Sequence, residues 1–147
     1  MVATINLSSK VFSAGDEIPS RYTCDGEDVN PPLTIGKLPD KTQSLTLIVE
    51  DPDAPMGTWD HWLVWNIPPA GEIQEDSIPG TEGKNSFHKH HYGGPCPPSG
   101  THRYFFKIYA LDSRLDLGAD TEKEALEKAM TGKILGRGEI MCLYSKK

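Results

Sequence analysis

The sequence has few cysteines and no long apolar run. Its 147 residues include three cysteines, Cys24, Cys96 and Cys142, which are widely spaced and form no CxxC pair. An odd number of scattered cysteines favours a reducing compartment over a disulfide framework. No stretch approaches the roughly 18 apolar residues of a membrane span, and the N-terminus lacks the segments of a signal peptide. These absences predict a cytoplasmic protein without a membrane span.

An excess of positive charge is also absent. The chain has 15 lysines and arginines against 21 aspartates and glutamates, a formal net charge of -6. Phosphate backbones and anionic lipids repel such a protein, so nucleic acid and peripheral membrane partners are disfavoured. The repulsion is global, and a locally positive pocket could still hold a small anion.

The length and turn content favour one β-rich domain over residues 1–147. A chain of this size can bury a sizeable core without metal or disulfides. The 14 glycines and 12 prolines indicate many turns. Strands are predicted at residues 4–12, 44–50, 59–67, 102–111 and 139–145, and one helix at residues 120–132. Thr121 and Glu124 match a capping box, and Gly132 is placed to end the helix. The sum is an all-β sandwich with one or two short helices.

Two carboxylates follow the first long strand in the stretch "LTLIVEDPDAP". Asp51 and Asp53 have the parity of the apolar residues before them, so an extended chain puts both on the buried face. Pro52 and Pro55 favour that extended path. A cis Asp51–Pro52 bond, with a base rate of about 5–6%, would turn the chain instead.

Two other strands carry polar side chains in the same way. His61 has the parity of Leu63 and Trp65, while His102 and Tyr104 have the parity of the apolar residues that follow them. Buried polar groups are unfavourable unless they are paired. We therefore expect these side chains to converge with the aspartates in one pocket at one end of the sandwich.

The segment "YGGPCPPSG", residues 92–100, immediately precedes His102 and is predicted to form the pocket wall. Gly93 and Gly94 would let a ligand approach the backbone and would offer free amide donors. The long Gly- and Pro-rich connection that contains them is typical of a functional loop.

The segments "DPDAP", "WDHWLVWNI" and "YGGPCPPSGTHRYFFKIYALD" resemble, in order, the signature segments of the phosphatidylethanolamine-binding protein family, which includes the Raf kinase inhibitor protein. "TCDGEDVNPPL" and "ILGRGEIMCLYS" resemble its shorter bacterial and archaeal branch. The resemblance covers roughly residues 22–144. It implies a Greek-key β-sandwich with a small anion-binding cavity near one end. The implied ligand-binding residues are Asp51, Asp53, Trp59, His61, Gly94, His102 and Tyr104.

The chain departs from the family pattern in one loop and at its C-terminus. His88, His90 and His91 stand where smaller residues are expected. Histidines can bind zinc or copper, but no cysteine or carboxylate cluster accompanies these, so a solvated loop is favoured. We predict no metal and no cofactor. The mammalian members carry a further C-terminal helix with an aromatic lid residue, whereas this chain ends in a strand-like segment.

The favoured function is binding of a small anion, such as phosphate or a phosphorylated headgroup, rather than catalysis. One alternative is a regulator that recognises a phosphorylated or acidic segment of a kinase or protease. Another is a hydrolase or lyase with Asp53 and His61 as an acid–base pair; a Cys96 thiol nucleophile is less favoured, because its prolines make that segment structural. The resemblance also implies a possible homodimer.

The two carboxylates conflict with an anionic ligand. They could orient and charge the histidines, one could stay protonated, or they could hold the cationic end of a zwitterion. The first two arrangements predict tighter anion binding as the pH falls.

Overall fold

The computed structural model describes residues 2–147. The strands are β1 (Ala3–Thr4), β2 (Leu7–Ser8), β3 (Leu33–Ile35), β4 (Ser44–Asp51), β5 (Trp59–Ile67), β6 (Glu72–Ile73), β7 (Thr81–Glu82), β8 (Thr101–Leu111) and β9 (Ile134–Ser145). A 3₁₀ helix covers Ser20–Tyr22, and the helix α1 covers Lys123–Met130. Within the described residues, no helix has both the length and the apolar character that a membrane crossing requires.

The strands form two sheets, and α1 adds a third layer. One sheet has the strand order β1-β9-β8-β4-β5-β7, and the other has the order β2-β3-β6. The inner core lies between the sheets and takes residues from both, such as Leu33 and Ile73 from the small sheet and Leu47 and Phe106 from the large one. The predicted β-rich fold is confirmed.

The second core lies on the other face of the large sheet, beneath α1. It joins Ile48, Leu63 and Trp65 of the sheet to Leu126 and Met130 of the helix. The large sheet is therefore covered on both faces at its centre, which explains why apolar residues occur on both faces of β4 and β5.

The helix begins later than the capping box predicts. Glu122 is its N-cap, and no side-chain hydrogen bond caps the first turn, so the Thr121–Glu124 prediction is wrong. The end is as predicted: Gly132 adopts a φ of 79°, the left-handed conformation that suits glycine after a helix.

The faces of β4 are as predicted, but those of β5 are not. Leu45, Leu47 and Val49 enter the inner core, and Ile48 enters the core beneath α1. The register between β4 and β5 shifts at two points. At each point β5 has one extra residue, so the side chains that follow it change faces. As a result Ile67 lies in the inner core, whereas Trp65 lies in the core beneath α1.

The shift nearer the start of β5 concerns His61 directly. Val49 pairs with Trp62 whereas Glu50 pairs with Asp60, which leaves His61 as the extra residue. Asp60 lies on the α1 side, where it forms an ion pair with Lys123 at 2.9 Å. The predicted common face of His61, Leu63 and Trp65 is wrong. The bulge turns His61 to the inner side, next to the face of Asp51.

The strand directions bring three chain segments to one end of the inner layer. β4 runs antiparallel to both β5 and β8. The end of β4 at Asp51 therefore lies beside the beginnings of β5 and β8, where His61 and His102 are found. The long connection between β5 and β8 supplies the remaining side of this region.

A disulfide joins Cys24 to Cys96, with sulfurs 2.08 Å apart. Cys142 is free and buried. The prediction that these scattered cysteines form no disulfide framework is wrong for Cys24 and Cys96, because the fold brings the loop of Cys24 against the segment that follows Gly94. Disulfides persist in oxidising compartments and in intracellular proteins of hyperthermophiles. Because this bond is present, the number and spacing of the cysteines no longer favour a reducing compartment.

Breaking this disulfide is expected to lower the free energy of unfolding by about 4 kcal/mol. The bond closes a loop with a sequence separation of 72 residues, and the unfolded chain gains that much conformational freedom when a loop of this length opens. Urea unfolding with and without a dithiol reductant measures the difference. The Cys24→Ala/Cys96→Ala double variant is the control. A reductant effect of equal size in that variant would refute this origin.

Candidate ligand-binding site

A cavity of about 220 Å³ lies at the end of the inner layer where β4, β5 and β8 meet. Its floor is polar and its walls are mostly apolar. The lining residues are Asp51, Ala54, Pro55, Trp59, His61, Phe87, Cys96, Pro97, Pro98, His102 and Tyr104.

The floor contains a buried carboxylate–imidazole pair. Asp51 is 3% exposed and His102 is 8% exposed. The Nδ1 atom of His102 lies 2.7 Å from Oδ2 of Asp51, and the backbone amide of Asp53 donates to Oδ1 at 2.7 Å. Each carboxylate oxygen thus has a protein donor, and the imidazole orientation is fixed. The predicted role of Asp51 in orienting a histidine agrees with this geometry.

His61 forms another part of the cavity floor, and the connection between β5 and β8 holds its ring. Its Nδ1 lies 2.7 Å from the carbonyl oxygen of Gly93. Because a carbonyl only accepts, this contact assigns the proton to Nδ1. Burial is the largest influence on the imidazole and lowers the pKa of His61 below its ordinary value of 6.5. The nearby carboxylates raise this pKa, as expected, but burial lowers it by more, so the net shift disfavours a charged His61.

Tyr104 contributes a hydroxyl without a partner. The residue is 1% exposed, and its hydroxyl lies near the Asp51 carboxylate and the Cys96 backbone without a hydrogen bond of ordinary geometry to either. Burial, and then the nearby charge of Asp51, raise the pKa of Tyr104 above its ordinary value. The hydroxyl therefore stays protonated. A buried polar group without a partner is uncommon and unfavourable, so this one is available for a ligand.

Aromatic rings form one wall of the cavity. Phe87 packs edge-on against Trp59, with ring centroids 5.5 Å apart, and against His61 at 5.3 Å. The buried side chain of Asn85 orients this loop: it donates to the carbonyls of His61 and His91 and accepts from the amide of Phe87. One amide side chain thereby connects the aromatic wall to β5.

The opposite wall comes from the Pro-rich segment, as predicted. Cys96, Pro97 and Pro98 line the cavity. The segment is connected to the loop after the 3₁₀ helix by the disulfide and by the Cys24 amide, which donates to the Pro95 carbonyl at 3.2 Å. Prolines and a covalent link make this wall rigid.

Two predicted ligand residues lie outside the cavity lining. Asp53 follows the end of β4 in a turn, and its carboxylate accepts from the backbone and guanidinium of Arg103 at 2.9 Å. The Asp51–Pro52 bond is trans. The turn, not a cis bond, breaks the extended path on which the parity prediction for Asp53 depended. An Asp53–His61 acid–base pair has no support from this geometry.

Gly94 is the second predicted ligand residue that lies outside the cavity lining. Its amide donates to the Asp28 carboxylate at 2.7 Å, and the Gly93 amide donates to the His61 carbonyl at 3.1 Å. The prediction that these amides are free is wrong. A side chain at Gly94 would clash with the Tyr22 carbonyl oxygen at 2.3 Å. Close packing of two loops thus accounts for glycine here.

Of the predicted residues, the structure brings Asp51, Trp59, His61, His102 and Tyr104 together around the cavity. Sequence reasoning missed Phe87. The available signal was an aromatic residue inside a polar, Gly- and Pro-rich loop. Cys96 cannot act as a thiol nucleophile while it is disulfide-bonded.

A β-sandwich with a small cavity at one end, polar below and apolar around, is the architecture of a ligand-binding protein. The comparisons identify the family. The family model described as phosphatidylethanolamine-binding protein matches residues 8–145. The chain belongs to the phosphatidylethanolamine-binding protein family.

Individual relatives cover nearly the whole chain. A UPF0098 protein of Pyrococcus horikoshii is 48% identical over 151 residues, covering 95% of this chain and 76% of that protein. A crystal structure of a phosphatidylethanolamine-binding protein homologue from Chlamydia trachomatis has a TM-score of 0.94 at 40% identity, covering 98% of this chain and 99% of the other. E. coli YbcL, a member of the same family, has a TM-score of 0.89 at 27% identity, covering 99% and 100%.

The Asp53 carboxylate is expected to titrate far below an ordinary aspartate. Hydrogen bonds from Arg103 lower the pKa of Asp53 to about 2. A lowered pKa in the folded state means that the pair stabilises the fold above the unfolded value of about 3.9. This stabilisation disappears as the pH falls through about 2. Carbon-detected NMR titration of the carboxyl measures the pKa directly.

The control for this titration is Arg103→Gln, which removes the guanidinium. In that variant the pKa of Asp53 should move up towards about 3.9. A value near 3.9 in the unmodified protein would show that Asp53 does not hold Arg103 in solution.

Proposed function

We propose that the cavity binds a small anion and that its physiological ligand carries a phosphate group. The observation that carries the proposal is the unpartnered Tyr104 hydroxyl, buried in a cavity next to His61 and His102. A donor in that position loses its hydration on folding and forms no well-aligned hydrogen bond with the protein in return. A ligand oxygen would supply the missing hydrogen bond.

The size of the cavity limits the ligand. About 220 Å³ is below the roughly 300–1,000 Å³ of pockets for drug-sized molecules. A phosphate group with a short substituent fits such a volume, whereas a large organic ligand would have to extend beyond the cavity. The apolar walls exclude water and so strengthen each polar contact on the floor.

The Asp51 charge is compatible with an anion because its oxygens already accept protein hydrogen bonds. A protonated His102, 2.7 Å from the carboxylate, would leave the pair without net charge. Its Nε2 atom could then donate to the ligand together with Tyr104. In this arrangement Asp51 orients and balances a cationic donor and does not itself contact the anion.

Recognition of a phosphorylated segment of a kinase or protease would use the same hydrogen bonds to a phosphate group. That partner, the homodimer and the cytoplasmic location stay predictions.

Tyr104→Phe separates binding from folding. Removal of a ligand-directed hydroxyl should weaken phosphate binding about tenfold, equivalent to about 1.4 kcal/mol. The free energy of unfolding should stay the same or rise slightly, because the hydroxyl has no partner in the ligand-free protein. Isothermal calorimetry with inorganic phosphate and urea unfolding measure the two effects.

Tyr109→Phe is the matched control, since Tyr109 lies in β8 on the face opposite Tyr104 and packs against the core beneath α1. It should leave phosphate affinity unchanged. Unaltered affinity in Tyr104→Phe would refute the proposed site, and a large loss of stability would mean that the hydroxyl has a structural partner.

A further inference from the structure

His61 is held in a form that restricts the ligand. Its Nδ1–H donates to the Gly93 carbonyl, which leaves Nε2 as the free ring nitrogen in the cavity lining. In a neutral imidazole with the proton on Nδ1, Nε2 carries a lone pair and can only accept. A fully deprotonated anion placed against it would meet a second acceptor.

We infer that His61 makes the cavity selective for anions that carry a hydrogen-bond donor of their own. Such a donor is the O–H of a protonated phosphate or the ammonium of a short zwitterionic phosphate ester. Inorganic sulfate, of nearly the same size and shape as phosphate, carries no proton near neutral pH and would leave Nε2 unpaired. The inference rests on the proposed anion site and names its ligand class.

Two observations keep His61 neutral near pH 7. The side chain is 3% exposed, so its charged form loses most of its hydration. Nδ1 is already hydrogen-bonded, and Nε2 forms no hydrogen bond within the described residues that could stabilise a second proton. Burial lowers the pKa of His61 below 6.5 despite the carboxylates around it.

The groups that face His61 come from four segments. They are Asp60 on its own strand, Asp51 on β4, His102 and Tyr104 on β8, and Asp28 in the loop after the 3₁₀ helix. The three carboxylates raise the pKa of His61, but by less than burial lowers it. His102 is present both in the unmodified protein and in His61→Gln, so a comparison of these two proteins removes its contribution.

The Gly93 contact is itself well supported. The Gly93 amide donates back to the His61 carbonyl at 3.1 Å, so the two residues exchange a backbone and a side-chain hydrogen bond. Packing of Phe87 against the imidazole at 5.3 Å hinders rotation of the ring. The ring therefore cannot turn easily to present its N–H to the cavity.

The test is a comparison of phosphate and sulfate by isothermal calorimetry. At about pH 7.5 phosphate should bind at least about tenfold more tightly, because sulfate leaves a buried acceptor without a partner. At a pH below the lowered pKa of His61, Nε2 gains a proton and becomes a donor. Sulfate affinity should then rise more than phosphate affinity, and the ratio should narrow.

Phosphorylethanolamine identifies the source of the donor. Tighter binding than phosphate at about pH 7.5 supports the inference with the ammonium as donor, and weaker binding supports it with the phosphate O–H. Equal affinities of phosphate and sulfate at this pH would overturn the selectivity but leave the anion site intact. If neither anion binds, the proposed function fails, and the selectivity with it.

His61→Gln assigns the selectivity to the residue. A glutamine amide can present either oxygen or N–H near the position of Nε2, so at about pH 7.5 the phosphate-to-sulfate ratio should fall to within about threefold. His91→Gln is the matched control, since His91 also contacts a carbonyl through Nδ1, at 3.0 Å from Tyr92, but lies outside the cavity lining. An unchanged ratio in His61→Gln would refute the role of His61, and the pH series of the unmodified protein tests the inference without either variant.

Discussion

One extra residue in β5 determines the side of the sheet on which the cavity floor is assembled. The bulge at His61 lets Trp59, His61 and Trp62 all serve the inner layer, while Asp60 between them turns to α1 and pairs with Lys123. In a regular strand His61 and Trp62 could not both face the inner layer, because adjacent side chains point to opposite faces. The Gly93 contact, the packing against Phe87 and the proximity to Tyr104 all depend on this local irregularity.

The floor groups share a common arrangement. Asp51 orients His102, Gly93 orients His61, and the backbone of β8 places Tyr104, so each functional side chain is held in position. The two imidazoles each keep one ring nitrogen without a hydrogen bond in the described residues, and the tyrosine keeps its hydroxyl. The protein thus fixes the orientation of these side chains and leaves one nitrogen of each imidazole and the tyrosine hydroxyl to bond a ligand. Prealigned groups of this kind reduce the entropy lost on binding.

The walls add rigidity to this arrangement. The Cys24–Cys96 disulfide and two prolines hold one side, and Asn85 organises the aromatic side through four hydrogen bonds to neighbouring backbone groups. These contacts come from loops distant in sequence. The result is a small cavity with mostly apolar walls, where single hydrogen bonds discriminate strongly between similar ligands.

The sequence alone predicts the β-rich class, a helix near residues 120–132 and the inward direction of Asp51, His102 and Tyr104. Those residues follow from a two-residue repeat, which is local, and β4 and β8 pair with each other without a register shift. The resemblance of three segments to one family also came from the sequence alone, and the family model confirms it.

The other features of the site depend on contacts between segments that are distant in the chain. His61 was selected by a parity that the bulge reverses, Asp53 is drawn to Arg103, and Cys24 meets Cys96 across 72 positions. A bulge, an ion pair and a disulfide each depend on a partner from another part of the chain. The alternation of residues along one strand contains no information about that partner.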